Sequence, residues 1–96
     1  MSGPDDATQA HVIVRGRVQG VFFRSSLKQQ ADTHGVTGWV RNRSDGSVEA
    51  LLQGPYAAVS SVAAWMEVGP RSARVDSADA EWSEVAEPLQ GFEVVG

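Results

Sequence analysis

One arginine occupies a position that helices disfavour, directly after a glycine-containing turn. The segment Gly16-Arg17-Val18-Gln19-Gly20-Val21-Phe22-Phe23-Arg24 runs from a predicted strand through a tight turn into a predicted helix. Gly20 can adopt backbone angles closed to other residues, and such turns let consecutive N–H groups converge on an anion. Arg24 lies in the first helical turn, where a cation costs roughly 0.3–1 kcal/mol. A bound phosphoryl group would reverse that cost, because the guanidinium donates two parallel hydrogen bonds.

A neutral amide is the second candidate group. Asn42 ends the segment Gly38-Trp39-Val40-Arg41-Asn42, which is typical of a strand although asparagine is depleted in strands. Its side chain can accept a hydrogen bond from water and donate one elsewhere, but it is not a strong base. A reaction that uses this amide therefore needs a good leaving group, and the protein contributes mainly by positioning the reactants. Hydrolysis of an acyl phosphate, whose leaving group is a carboxylate, meets both conditions.

Each of these groups also has a purely structural interpretation. Arg24 could be an exposed side chain beside a turn that only connects two elements. Asn42 could flank the hairpin that Asp45-Gly46 predicts. The residues alone leave both interpretations open.

The predicted elements follow the order βαββαβ, with a short strand at the end. Phe23, Leu27 and Ala31 recur every four residues, which predicts one buried helix face, and Gly35 is placed to cap that helix. A bulge near Ser77 would reconcile the two alternation phases of the fourth strand. Strands are predicted at 11–18, 36–42, 47–53, 73–82 and 92–95, and helices at 23–34 and between Gly54-Pro55 and Gly69-Pro70.

This order predicts an α+β domain of the ferredoxin-like class, with an antiparallel sheet and two helices on one face. The 96 residues suffice for one domain, which we place at residues 10–96, after a disordered tail at residues 1–9. The fold alone does not decide the function, because it occurs with many activities.

Composition narrows the function classes. The chain has no cysteine, which excludes thiolate catalysis and sulfur-ligated metals. Its net charge of −4 argues against general nucleic-acid binding. No apolar run reaches the roughly 18 residues of a membrane helix, and the start lacks the features of a signal peptide. We therefore expect a cytoplasmic, monomeric protein.

The basic residues are unevenly distributed. Six of the eight lie before residue 44, and only Asp32 opposes them between positions 10 and 43. This imbalance is consistent with a locally positive end of the domain, or with a solvated surface of no functional meaning. The six are Arg15, Arg17, Arg24, Lys28, Arg41 and Arg43.

The two segments resemble the two signatures of the acylphosphatase family. The segment from Gly16 to Arg24 is similar to the signature around its catalytic arginine. The segment from Gly38 to Asn42, followed by Asp45-Gly46-Ser47-Val48-Glu49, is similar to the signature with its catalytic asparagine. The resemblance extends from about His11 to Val95, nearly the whole chain, and is to the small, bacterial-type acylphosphatases.

The resemblance implies a ferredoxin-like fold and hydrolysis of acyl phosphates to a carboxylate and inorganic phosphate, with no metal, cofactor or covalent intermediate. Arg24 would bind the phosphoryl group and Asn42 would orient the attacking water. One departure is Gly96, because many members end in an aromatic or basic residue. The loop implied to wrap the phosphate with backbone amides consists of Gln19, Gly20, Val21, Phe22 and Phe23.

Two other functions fit the same element order. A phosphate- or ligand-binding module would share the fold without turnover, since acylphosphatase-like domains also occur within larger enzymes. An RNA-binding RRM shares the βαββαβ order, but it needs exposed aromatic residues in an RNP-type strand. The predicted third strand, 47–53, has no aromatic residue.

Other conspicuous residues are assigned structural roles. His11 and His34 are two histidines without a third ligand, which makes a poor zinc site. The role predicted for Asp45 is to stabilise the turn rather than to act in acid–base catalysis, and Glu49 lies beside the same hairpin. Packing is the expected role of the three tryptophans, Trp39, Trp65 and Trp82.

Overall fold

Five strands and two helices follow one another along residues 7–96, the part of the chain that the computed structural model describes. This confirms the predicted βαββαβ order with a short last strand. The elements are β1 (Ala7–Arg17), α1 (Phe23–His34), β2 (Thr37–Asn42), β3 (Val48–Pro55), α2 (Tyr56–Met66), β4 (Arg74–Glu84) and β5 (Phe92–Val94).

The strands form one sheet in the order β4-β1-β3-β2-β5. β1 pairs antiparallel with β3 and β4, and β2 pairs antiparallel with β3. The β2–β5 pair is parallel, so the predicted antiparallel sheet is correct except at this edge. The pairing registers place the end of β4 and the start of β2 at the same end of the sheet. A chain that crosses there must begin β5 beside the start of β2.

Both helices pack on one face of the sheet, as predicted. Alternate residues of β1 turn toward them, so that Ala10, Val12 and Val14 are at most 1% exposed. Val48, Ala50 and Leu52 of β3 are equally buried. Burial of this kind contributes roughly 25 cal/mol for each Å² of apolar surface. No helix in the described part of the chain is long and apolar enough to cross a membrane.

Helix α1 has the predicted bounds because its signals are local. Phe23, Leu27 and Ala31 are at most 1% exposed and share one face. Gly35 ends the helix with φ 69°, and its N–H points back to the carbonyls of Ala31 and Asp32. The buried stripe of α2 is also confirmed at Val59, Val62 and Met66, whereas the predicted Ala63 is only half-buried.

The N-terminal boundary differs from the prediction. Strand β1 begins at Ala7, so residues 7–9 of the predicted disordered tail belong to the sheet. They pair with residues 53–55 of β3, and residues 8 and 9 also pair with the end of β4. Partners so distant in sequence leave no local signal. Residues 1–6 of the predicted tail lie outside the described residues.

The bulge predicted near Ser77 is confirmed. Arg15 pairs with Ser77 and Gly16 pairs with Val75, which leaves Asp76 as the extra residue of β4. Gly16 has φ 132°, and a Cβ there would lie 2.2 Å from the Arg74 carbonyl oxygen. Only glycine permits this close approach of β1 to β4, which lies just before the turn that precedes α1.

The tryptophans have different environments. Trp65 packs against Phe23 with 5.4 Å between ring centroids, and Trp39 is half-buried beneath the Arg41 guanidinium. Trp82 is 39% exposed, and its ring packs in a tilted arrangement against the ring of Tyr56. The predicted packing role therefore describes Trp39 and Trp65 better than Trp82.

Candidate active site

The turn between β1 and α1 contains two residues in the left-handed backbone region. Gly20 has φ 72°, and Phe22 has φ 62° and ψ 22°. Phe22 is the only non-glycine residue with positive φ among the residues that the structure describes. Such a conformation is costly for a phenylalanine and persists only where its surroundings hold it. The turn is therefore a strained segment at the entrance of a helix.

The backbone N–H groups of this turn have no acceptor within residues 7–96. The backbone N–H of none of residues 19–22 donates to a backbone carbonyl or a side chain there. The helix that follows has Phe22 as its N-cap, without a side-chain capping bond, and no acidic residue in its first turn. Unpaired amides and the positive end of the helix dipole together favour an anion.

Arg24 lies in the first turn of α1, as predicted, and its side chain is fixed. Its Nη1 donates a hydrogen bond to the carbonyl oxygen of Gly96 at 2.8 Å. One bond leaves other guanidinium N–H groups for a ligand, since the group carries five. Arg24 is thus a cation held at the N-terminus of helix α1, where the helix dipole disfavours a positive charge. A bound anion would offset that unfavourable interaction.

Asn42 is the last residue of β2, and its carbonyl oxygen Oδ1 is buried. Within the described residues this oxygen has no hydrogen-bond partner. A buried amide oxygen without a partner is costly, and a water molecule would satisfy it by donating a hydrogen bond. This atom is thus a candidate water-binding position.

Arg24 and Asn42 line one cavity of about 290 Å³. Among the sequence-predicted residues, Gly20, Phe22 and Phe23 line it as well, whereas Gln19 and Val21 do not. The side chain of Phe23 is buried in the core at 1% exposure, and that of Phe22 is 78% exposed. Val94 of β5 forms part of the opposite wall.

A second cavity of about 300 Å³ lies beside Trp39 and Arg41. These residues alternate with Val40, a core residue, so their side chains lie on the sheet face away from the helices. This cavity contains neither Arg24 nor Asn42. It therefore does not combine the two candidate groups.

The side chain of Gln19 has a structural contact that sequence reasoning missed. Its Nε2 donates to the carbonyl oxygens of Arg43 at 2.7 Å and Ser47 at 2.9 Å. Both acceptors belong to the hairpin that follows Asn42. Gln19 thus joins the turn before α1 to the hairpin connection that directly follows the candidate water-binding amide of Asn42.

Asp45 stabilises the turn between β2 and β3, as predicted. Its Oδ1 accepts hydrogen bonds from the Ser47 hydroxyl and from the Ser47 backbone N–H. These bonds, the side-chain one foremost, lower the pKa of the Asp45 carboxyl below its ordinary value. Gly46 follows with φ 91°, so the hairpin is closed by both residues of the predicted pair.

Glu49 is held by His11 and Arg41 on the face of the sheet away from the helices. Its Oε2 lies 2.6 Å from Nε2 of His11, and its Oε1 accepts from Nε of Arg41 at 2.6 Å. Burial would raise the pKa of Glu49, but the hydrogen bonds from His11 and Arg41 outweigh it and lower that pKa. These contacts join β1, β2 and β3, in agreement with the structural role assigned to His11.

Ser72 is a second residue that the sequence did not single out. It lies in the connection between α2 and β4, and its Oγ donates to the carbonyl oxygen of Val21 at 2.7 Å. A serine after Gly69-Pro70 is ordinary in a loop, so no local signal identified it. Its contact reaches the turn before α1 from a distant part of the chain.

The fold and this cavity define a class of protein. It is a ferredoxin-like α+β domain in which one cavity is lined by an arginine, an asparagine and a turn that can bind an anion. Solved structures support the class. The chain superposes on an acylphosphatase from Coxiella burnetii with a TM-score of 0.88, 38% identity and 94% of each chain covered. It superposes on an acylphosphatase from Bacillus subtilis with a TM-score of 0.89 and 37% identity, covering 93% of this chain and 99% of that one.

Sequence comparison narrows the class to a family. Residues 10–94 match the family model described as Acylphosphatase. An acylphosphatase of Pyrobaculum arsenaticum is 50% identical over 91 residues, which cover 94% of this chain and 96% of the relative. The chain belongs to the acylphosphatase family.

Proposed function

We propose that this protein hydrolyses acyl phosphates to a carboxylate and inorganic phosphate, by direct attack of water. One observation carries the proposal: Arg24 and Asn42 line the same cavity, and the buried Oδ1 of Asn42 has no hydrogen-bond partner in the described residues. A group that can hold water and a group that can hold a phosphoryl anion thus lie on one reaction site. Family membership supports the same activity.

In the proposed reaction, Arg24 and Asn42 have different roles. Arg24 and the unpaired amides beside it bind the phosphoryl oxygens and stabilise the negative charge that they carry. Asn42 Oδ1 accepts a hydrogen bond from a water molecule and orients its oxygen toward phosphorus. The new P–O bond forms as the bond from phosphorus to the carboxylate oxygen breaks. The carboxylate leaves with that electron pair, and the proton released by water ends on the phosphate product.

The first test is hydrolysis of benzoyl phosphate by the wild type and Arg24→Ala, with a chelator present. Removal of one charge-stabilising donor lowers kcat by roughly 10²-fold or more, so we expect a loss of at least this size. Phosphate affinity should fall as well. The assay follows release of inorganic phosphate, and circular dichroism checks that the variant is folded.

Lys28→Ala is the matched control. Lys28 lies one turn further along α1 and, like Arg24, donates to a carbonyl of the C-terminal segment, that of Phe92 at 3.2 Å. It does not line the cavity. Activity that survives in Lys28→Ala but is lost in Arg24→Ala assigns the effect to the cavity. An active Arg24→Ala would contradict the assignment of Arg24, and a folded but inactive wild type would favour the binding-module alternative.

The monomeric state and the cytoplasmic location remain proposals. Glu81 and Glu84, with the aspartates beside them, keep the β4 edge of the sheet charged, which supports a monomer because charged edges resist pairing with a second copy. The net charge of −4 supports the expectation that nucleic acid is not a partner. Light scattering after size-exclusion chromatography measures the mass in solution.

A further inference from the structure

Phe22 is held on both sides by hydrogen bonds to its neighbouring peptide groups. Its own carbonyl oxygen accepts from the Ser26 backbone N–H at 3.1 Å and from the Ser25 hydroxyl at 3.2 Å. Both donors belong to α1. The preceding peptide group is held at the Val21 carbonyl, by the Ser72 hydroxyl at 2.7 Å. Ser72 is the donor in this set that comes from outside the turn and its helix.

The Val21 carbonyl and the Phe22 N–H belong to one peptide group. The described residues contain no cis peptide bond, and in a trans peptide the C=O and N–H point in opposite directions. A hydroxyl that holds the carbonyl on one side therefore turns the N–H to the other. The N–H of Phe22 has no acceptor in the described chain, and Phe22 lines the cavity.

The position of Ser72 is itself fixed. Its connection turns tightly, since the Ala73 N–H donates to the Pro70 carbonyl at 2.9 Å. Gly69 lies against Phe23 so closely that a Cβ there would be 2.7 Å from the Phe23 ring. The connection is thus packed against the start of α1, and Ser72 reaches Val21 from a defined place.

We propose that Ser72 is a positioning residue for phosphate binding. Its hydroxyl fixes the Val21–Phe22 peptide group so that the Phe22 N–H is presented to the phosphoryl oxygens before they bind. Without it, the strained turn can rotate this peptide group and lose one donor from the cradle. The inference rests on the proposed function in that the cavity is taken to bind phosphate.

The experiment compares four variants by titration with inorganic phosphate, followed through the Phe22 amide signal in ¹⁵N–¹H NMR spectra. Ser72→Ala removes the hydroxyl. Ser72→Thr and Ser72→Val differ from each other mainly in the hydroxyl, so they isolate it at constant side-chain shape. Ser61→Ala is the control, because Ser61 also donates to a backbone carbonyl, that of Ala57 at 3.0 Å, but lies on α2 away from the cavity.

We expect the phosphate Kd to rise roughly 3- to 10-fold in Ser72→Ala and Ser72→Val, the equivalent of one hydrogen bond. The Phe22 amide should shift less on phosphate addition. Ser72→Thr and Ser61→Ala should behave as the wild type. With benzoyl phosphate, KM should rise by a similar factor, with kcat changed less than about 3-fold.

Several results would overturn the inference. These are an unchanged phosphate Kd in Ser72→Ala, an equal loss in Ser61→Ala, failure of Ser72→Thr to restore affinity, and a wild-type Phe22 amide that phosphate does not shift. Ser72-dependent phosphate affinity without turnover by the wild type would support the inference and contradict the proposed function. Turnover with Ser72-independent affinity would do the opposite.

Discussion

At the scale of single residues, the candidate site depends on atoms that lack partners. The Oδ1 of Asn42 is buried without one, and the N–H groups of residues 19–22 have none in the described chain. A buried oxygen without a partner is uncommon because it costs stability, and an N–H without a partner in the chain is available to a ligand. Here Asn42 lines the same cavity as Gly20 and Phe22 of the turn. A ligand that brings water and anionic oxygens together would pair both kinds.

Asn42→Ala should therefore separate chemistry from binding. Losing the water-orienting amide should lower kcat by about 10²-fold, while the Kd of inorganic phosphate should change by less than about 2-fold, because Arg24 and the turn remain. Steady-state kinetics with benzoyl phosphate and calorimetric titration with phosphate measure the two effects.

Asn42→Asp is the companion variant, with the same shape and a negative charge on the cavity. It should weaken phosphate binding as well, because a carboxylate repels a phosphate anion. Unchanged turnover in Asn42→Ala would refute the role of Asn42. Equal losses of kcat and phosphate affinity in Asn42→Ala would instead place it among the phosphate-binding groups.

At the scale of elements, β2 carries Asn42 and enters the sheet between two glycines with different constraints. Gly35 has φ 69°, and a Cβ there would meet nothing within 4 Å. Gly38 has φ 136°, and a Cβ there would lie 1.8 Å from the Leu51 carbonyl oxygen. The first glycine is needed for its backbone angle alone, and the second also for the space that β3 occupies.

This difference predicts unequal costs for two chemically identical substitutions. Gly35→Ala should lower the free energy of unfolding by about 1 kcal/mol, the cost of a left-handed residue. Gly38→Ala should lower it by about 3 kcal/mol or more, because backbone atoms must also move. Urea unfolding measures both, and equal costs would show that the space beside Gly38 is not limiting.

The elements also show which features the sequence could predict. Helix α1 was predicted with its observed bounds, because Phe23, Leu27, Ala31 and Gly35 are local signals. The start of β1 and the parallel pairing of β5 were not, because both depend on partners far along the chain. The local propensity of a segment does not depend on which distant strand it pairs with, so it cannot predict these pairings.

The same distinction applies to the candidate site. Arg24 and Asn42 could be predicted because each violates a local preference. A cation is disfavoured at the start of a helix, and asparagine is depleted in strands. The bonds from Gln19 to the hairpin and from Ser72 to Val21 violate none. A hydroxyl or amide that bonds a carbonyl far along the chain has no sequence pattern, so these contacts are visible only in the folded structure.

At the scale of the whole molecule, Glu49 links three neighbouring strands through His11 and Arg41. The pKa of Glu49 in the folded protein lies below its ordinary value of 4.5. Its ionised form is thus favoured by folding. The resulting stability is fully present above about pH 4.5 and is lost as the pH falls through the lower, folded-state pKa.

Glu49→Gln should therefore be less stable than the wild type at pH 7, by about 1 kcal/mol since both partners are partly exposed. The gap should shrink steadily below pH 4.5. Asp32→Asn is the control, because it breaks an exposed i,i+4 pair with Lys28 worth only about 0.2–0.5 kcal/mol. Thermal unfolding from pH 3 to pH 7 measures the gap, and a gap that persists at pH 3 would contradict this account.

The edge strand β4 carries its carboxylates along an edge of the sheet that no other described strand covers. Unpaired edges invite strands from neighbouring molecules, and charge and bulges oppose this. The bulge at Asp76 interrupts the edge, and Asp79, Glu81 and Glu84 keep it charged. The strand that closes one side of the sheet thereby also opposes aggregation through that edge, and this protection weakens in acid as the carboxylates lose their charge.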